Sequence, residues 1–101
     1  MASSSPRPAQ PLLSAVVPFL NEAANLPRLI TELEQVLSPL GLDWELVLVD
    51  DGSRDDGLAV AKRELQWRPG LRATLLSLSR NFGKEAALTA GLEAARGDVV
   101  V

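Results

Sequence analysis

Short apolar runs that alternate with helix-period stretches constrain this chain more than any other feature. Leu12-Leu13-Ser14-Ala15-Val16-Val17, closed by Pro18, reads as a buried strand. The polar stretch Asn21-Glu22-Ala23-Ala24-Asn25 can cap a helix, and Leu26, Leu29, Ile30, Leu33, Leu37 and Leu40 follow at helical spacing as a stripe that reads as core. Pro27 suits a first helical turn, and Gly41 ends the segment. Trp44-Glu45-Leu46-Val47-Leu48-Val49 is a second strand. Asp55 or Asp56 then caps a second helix with Leu58, Ala61 and Leu65 on one face, broken at Pro69-Gly70. Arg72 to Leu78 is a third strand, and a third helix runs from about Glu85 to Ala95. Ala87, Leu88, Gly91, Leu92 and Ala95 form a small-residue face on it, the face expected to pack. Gly97 stops it, and Asp98-Val99-Val100-Val101 begins a fourth strand. This order predicts an α/β fold with right-handed crossovers and a parallel sheet.

The chain has 101 residues, enough for one small domain, and 47% of them are hydrophobic, enough for a core. Residues 1–11, rich in Ser, Pro and Ala, read as a disordered leader, and 12–101 as the folded part. The net charge of -3 argues against a nucleic-acid partner and against a polybasic membrane patch. With no cysteine and no histidine, thiol nucleophiles, Cys/His metal sites and histidine-based triads are excluded within these residues. No stretch approaches the roughly 20 apolar residues of a membrane span. Because the chain stops inside an apolar strand, it reads as the front part of a longer domain.

In open parallel sheets, ligands bind outside the carboxyl ends of the strands. Three strand ends here carry polar groups: Pro18-Phe19-Leu20-Asn21-Glu22, Asp50-Asp51-Gly52-Ser53 and Ser79-Arg80-Asn81-Phe82-Gly83-Lys84. Carboxylates accept hydrogen bonds from base N–H groups and ribose hydroxyls. Arg80 and Lys84 can face phosphate oxygens, while Gly52 and Gly83 permit close backbone approach. Neither a P-loop nor a G-x-G-x-x-G fingerprint is present, so phosphate charge calls for another partner, usually a divalent metal.

Each motif has a plainer reading in isolation. Asp50-Asp51-Gly52-Ser53 could be a strand-ending turn, although two adjacent carboxylates repel and so suggest a ligand. Asn21-Glu22 could be helix capping, Arg80 and Lys84 solvated charges, Asp55-Asp56 an N-cap, and Asp98 a strand start. Trp44 and Trp67 read as packing residues at element ends.

Taken in order, Val17-Pro18-Phe19-Leu20-Asn21-Glu22, Val49-Asp50-Asp51-Gly52-Ser53-Arg54-Asp55 and Arg80-Asn81-Phe82-Gly83-Lys84 resemble family 2 glycosyltransferases of the GT-A fold. The stretch from Leu78 to Leu88 is most similar to the polyprenyl-phosphate branch, which includes undecaprenyl-phosphate glucosyltransferases and dolichyl-phosphate mannosyltransferases. The resemblance implies a Rossmann-like sheet of that fold, truncated in its fourth strand. It implies that Pro18, Leu20 and Glu22 line a base pocket, that Asp50 and Asp51 hold base and ribose, and that Arg80 and Lys84 lie near the phosphates. Position 20 is commonly tyrosine in the family, and Leu20 covers a base without aromatic stacking or a hydroxyl. An Asp-x-Asp motif holding Mg²⁺ or Mn²⁺ is expected beyond Val101, as are the general base and any membrane helices, so no catalytic or metal-ligating residue is assigned here. The implied reaction is inverting sugar transfer from a UDP- or GDP-linked donor to an acceptor, in particular a polyprenyl phosphate. It would run in the cytoplasm or at the cytoplasmic face of a membrane, with membrane contact made only by parts beyond Val101. Residues 1–101 alone are expected to be inactive. The alternatives are a non-catalytic nucleotide-binding module and a nucleotidyltransferase. The latter usually has a glycine-rich basic loop after its first strand, where this chain has acidic Pro18 to Glu22.

Overall fold

A computed structural model describes residues 12–97 and 99–100; the expected leader and Asp98 lie outside the described residues. The elements are β1 (Leu13–Phe19), α1 (Leu26–Leu37), β2 (Trp44–Asp50), α2 (Gly57–Gln66), β3 (Ala73–Ser77), α3 (Lys84–Ala94) and β4 (Val99–Val100). A 3₁₀ turn over Ser38–Leu40 follows α1, and Gly41 takes the left-handed conformation that ends it. The sheet is wholly parallel in the order β3-β2-β1-β4. Phe19 pairs with Asp50, and Asp50 with Ser77, so three strands finish level with one another on one rim.

Strand alternation divides the core. Leu46 and Leu48 pack with Leu26, Ile30, Leu37 and Ala61 under α1 and α2. Val47 and Val49 pack with Val16 and Ala87 under α3. A central parallel strand must be apolar on both faces, and β2 meets that condition from Leu46 to Val49, all fully buried. Gly91 lets α3 approach closely, because a Cβ there would overlap the Val16 side chain.

Three packing expectations need correction. Leu88 and Leu92 are 38% and 46% exposed, and α3 instead meets the sheet through Ala87 and Gly91, backed by Ala90, Ala94 and Ala95. The small residues sit inside because they allow the helix to come close. Trp67 is 74% exposed at the end of α2 and is not a packing residue, whereas half-buried Trp44 does pack on the core. Leu40 is also exposed, because the chain leaves α-helical geometry after Leu37.

Two polar clusters hold the layers together. Arg68 donates from Nε to Glu34, from Nη1 to Glu64 and from Nη2 to Thr31, tying α2 to α1. At the amino end of the sheet, buried Glu45 accepts hydrogen bonds from the Ser14 hydroxyl and the Arg96 backbone N–H, both at 2.6 Å. The Gly97 N–H donates to the same Ser14 hydroxyl, so this cluster fixes the turn that leads into β4. Burial raises the Glu45 pKa, but the Ser14 and backbone hydrogen bonds, helped by Arg72, outweigh it and hold the carboxyl below its ordinary range. A lowered carboxyl pKa stabilises the fold above the ordinary glutamate pKa, and that stability is lost as pH falls through the lowered value. Glu45→Gln is expected to cost about 2 kcal/mol at pH 7. The gap to wild type should close in urea titrations at progressively more acid pH.

Candidate nucleotide site at the strand ends

The three rim loops are built around short hydrogen bonds. The ladder runs one step past β2: Asp51 N–H donates to the Phe19 carbonyl, and Leu78 N–H donates to the Asp50 carbonyl, both at 2.9 Å. Beyond that step the backbone turns at Gly52, with φ of 76°. A side chain at position 52 would be doubly disfavoured. The left-handed conformation suits glycine, and a Cβ would overlap the backbone of Arg80 and Asn81. The second rim loop therefore packs backbone against backbone under the third.

Asp50 and Asp51 are both buried, and they have different jobs. Asp50 Oδ1 accepts the Ser53 N–H at 2.9 Å and closes its own turn. Asp51 Oδ1 accepts the Phe82 N–H at 3.0 Å and ties the second loop to the third. Asp51 also lines a cleft of about 420 Å³ with Pro18, Phe19, Leu20, Glu22, Asn81, Gly83 and Lys84. Five of the seven residues expected at the nucleotide site thus meet in one cleft: Pro18, Leu20, Glu22, Asp51 and Lys84. The other two do not line it. Asp50 faces a separate groove of about 450 Å³ beside α2, which also takes in Ser53, Asp55 and Lys62. Arg80 lies over the Phe82 ring, 4.7 Å from its centroid, on the exposed rim. The split between the carboxylates follows from the strand period of two, which sends consecutive residues to opposite sides.

One wall of the cleft carries positive charge. α3 begins at Lys84, and its N-cap is Gly83, with φ of 103° and no side-chain cap. The positive end of the helix dipole and Lys84 therefore border the same cleft. Glu22 and Asp51 supply the opposite sign on other walls. A ligand with an N–H- or hydroxyl-bearing end and an anionic end fits this charge pattern.

Sequence reading missed several contributors. Phe19 and Asn81 line the cleft, and Asn81 Oδ1 accepts the Gly83 N–H at 2.9 Å, shaping the entry to α3. The expected helix caps at Asn25 and Asp56 make no side-chain cap hydrogen bond. Asn25 Nδ2 instead donates to Glu22 Oε1 at 2.8 Å, which steadies a cleft residue. Asp55, the other residue expected to cap α2, does serve there: its Oδ1 accepts the Gly57 N–H at the start of the helix. Among the described residues, no group of three or more acidic, histidine or cysteine side chains could hold a metal ion.

Comparisons with known proteins bear on the family and the fold. Residues 14–101 match the family description "Glycosyl transferase family 2". An undecaprenyl-phosphate 4-deoxy-4-formamido-L-arabinose transferase of Pseudomonas paraeruginosa is 42% identical over 90 residues, covering 89% of this chain and 26% of its own length. The mannosyltransferase PcManGT from Pyrobaculum calidifontis, solved with GDP-Man and Mn²⁺, superposes with a TM-score of 0.83 at 28% identity, over 91% of this chain and 26% of that one. S. aureus TarS in complex with UDP superposes with a TM-score of 0.74 at 27% identity, over 88% of this chain and 25% of that one. The sheet is the Rossmann-like parallel sheet of GT-A glycosyltransferases, and the chain spans about a quarter of the length of the curated relatives it matches.

Proposed function

Since the chain belongs to glycosyl transferase family 2, we propose that it forms the nucleotide-binding side of an enzyme that moves a sugar from a UDP- or GDP-linked donor to a polyprenyl phosphate. The observation that carries this reading is the single cleft that joins Asp51 and Glu22 to Lys84 and the α3 N-terminus. Asp51 accepts hydrogen bonds from the base or ribose, Pro18 and Leu20 cover the base, and Lys84 with the α3 N-terminus faces the diphosphate. The donor is supported by the GDP-Man and UDP bound to the solved relatives, and the acceptor by the name of the Pseudomonas transferase. Asp50 and Arg80 belong to this reading as rim residues: Asp50 shapes the turn, and exposed Arg80 can swing toward phosphate.

The reaction is an in-line displacement with inversion, in which the acceptor oxygen attacks the anomeric carbon as the nucleoside diphosphate leaves. The described residues do not offer a ligand set for the Mg²⁺ or Mn²⁺ of this reading, so no step is assigned to a metal on them. We place those ligands on a continuation of β4. Among the described residues that strand runs beside β1 with Leu13 opposite Val99 and Ser14 opposite Val100. No helix among the described residues is long and apolar enough to cross a membrane, and membrane contact at the cytoplasmic face is assigned to parts beyond Val101.

Transfer of labelled sugar from UDP- and GDP-linked donors to undecaprenyl phosphate in vesicles tests the proposal. The complete protein is expected to turn over with at least one donor, and residues 1–101 with none. Turnover by residues 1–101 alone, or failure of the complete protein with every donor, would contradict it.

A further inference from the structure

The first and second rim loops are joined by an exchange of hydrogen bonds centred on Asn21. Asn21 has φ of 54°, the only positive value at a non-glycine position among the described residues. Its own N–H donates to Ser53 Oγ at 3.0 Å. Its side-chain Oδ1 accepts the backbone N–H of Arg54 at 2.8 Å and that of Asp55 at 3.4 Å. In return, Asp55 Oδ2 accepts the Ala23 N–H at 3.0 Å. Each loop thus offers backbone donors to side-chain acceptors of the other, across 32 to 34 residues of sequence.

Asn21 does not line the 420 Å³ cleft, but its neighbours Leu20 and Glu22 do. On the opposite loop, Asp51 lines the cleft and the latch partners Ser53, Arg54 and Asp55 do not. The Asp51 N–H to Phe19 carbonyl bond joins the two loops at the strand ends, and this exchange is a latch that joins them again one turn further out, beside Leu20 and Glu22. The left-handed backbone at position 21 turns the side chain toward the second loop. Asparagine tolerates that conformation better than other residues with a Cβ.

We infer that Asn21 is a positioning residue, one that sets the Leu20–Glu22 wall against Asp51 through Arg54 and Asp55 and so sets nucleotide affinity without touching the nucleotide. The inference rests on the nucleotide reading of the cleft. Three variants separate its parts. Asn21→Gly keeps the backbone conformation accessible and deletes the acceptor. Asn21→Ala deletes the acceptor and also strains the backbone. Asn21→Asp keeps both the acceptor and tolerance of the conformation.

In the complete protein, calorimetric titration with UDP and GDP should show Asn21→Gly weakening binding about tenfold, and Asn21→Asp staying within about threefold of wild type. Hydrogen exchange at the Arg54 and Asp55 amides should speed up in Asn21→Gly and be restored in Asn21→Asp. A merely stabilising role would lower the melting temperature and leave the dissociation constant unchanged in Asn21→Gly, and that result overturns the inference. If wild type binds neither nucleotide, the nucleotide reading fails by itself. The coupling is then decided by exchange at Leu20 and Glu22, which must quicken in Asn21→Gly; unchanged exchange there overturns it.

Discussion

Replacing Gly52 by alanine is expected to lower the unfolding free energy by about 3 kcal/mol and to weaken nucleotide binding together with it. Two costs add. A left-handed alanine costs roughly 1–2 kcal/mol. Overlap with packed neighbours costs roughly 1–3 kcal/mol more, and here the neighbours are the backbone atoms of Arg80 and Asn81, which cannot rotate away. Gly41 provides the control. It has nearly the same φ, 73°, but a Cβ there would meet nothing within 4 Å. Gly41→Ala should cost only about 1 kcal/mol and leave nucleotide affinity alone. Equal losses for the two variants in urea unfolding would show that backbone contact between the second and third loops does not matter.

The second large effect is expected at Asp51. Its carboxylate accepts the Phe82 N–H with one oxygen and faces the cleft, leaving acceptor capacity for a ligand. Hydrogen bonds to a charged acceptor are worth roughly 1.5–3 kcal/mol, or about 10- to 150-fold in a dissociation constant. Asp51→Ala should therefore weaken UDP or GDP binding about 100-fold, because it also takes the acceptor from the Phe82 N–H and frees the third loop. Asp51→Asn can still accept from Phe82, so the third loop stays in place while the charge is lost, and about tenfold is expected. Asp50→Asn should keep the Ser53 contact and change affinity by less than about threefold. An Asp50 variant that binds more weakly than its Asp51 counterpart would reverse the division of labour between the two carboxylates.

Much of the arrangement was legible in the residues. The strands announced themselves because parallel strands buried on both faces need continuous apolar runs, as Leu46 to Val49 provides. The rim loops were legible because parallel strands in register deliver their carboxyl ends to one place, as Phe19, Asp50 and Ser77 do. The separate fates of Asp50 and Asp51 also follow from strand alternation, given the strand's last residue.

Other features depend on distant partners. Nothing local to Glu45 signals that Ser14 and Arg96 will meet it, 31 and 51 residues away in sequence. Asn21 looked like a cap because asparagine often caps helices. Its acceptor is instead taken by Arg54 and Asp55, brought near only by the pairing of β1 with β2. α3 misled for a different reason. It carries leucines and small residues on several sides, so spacing alone could not say that Ala87 and Gly91, not Leu88 and Leu92, would face the sheet.

The central claim is that the cleft between Glu22, Asp51 and Lys84 takes a nucleoside diphosphate. Its most direct test is calorimetric titration of the complete protein with UDP and with GDP, each with and without Mn²⁺. Saturable one-to-one binding of at least one nucleotide, lost in Asp51→Ala, is predicted. Binding of neither nucleotide under any of these conditions, or binding unchanged in Asp51→Ala, would contradict it.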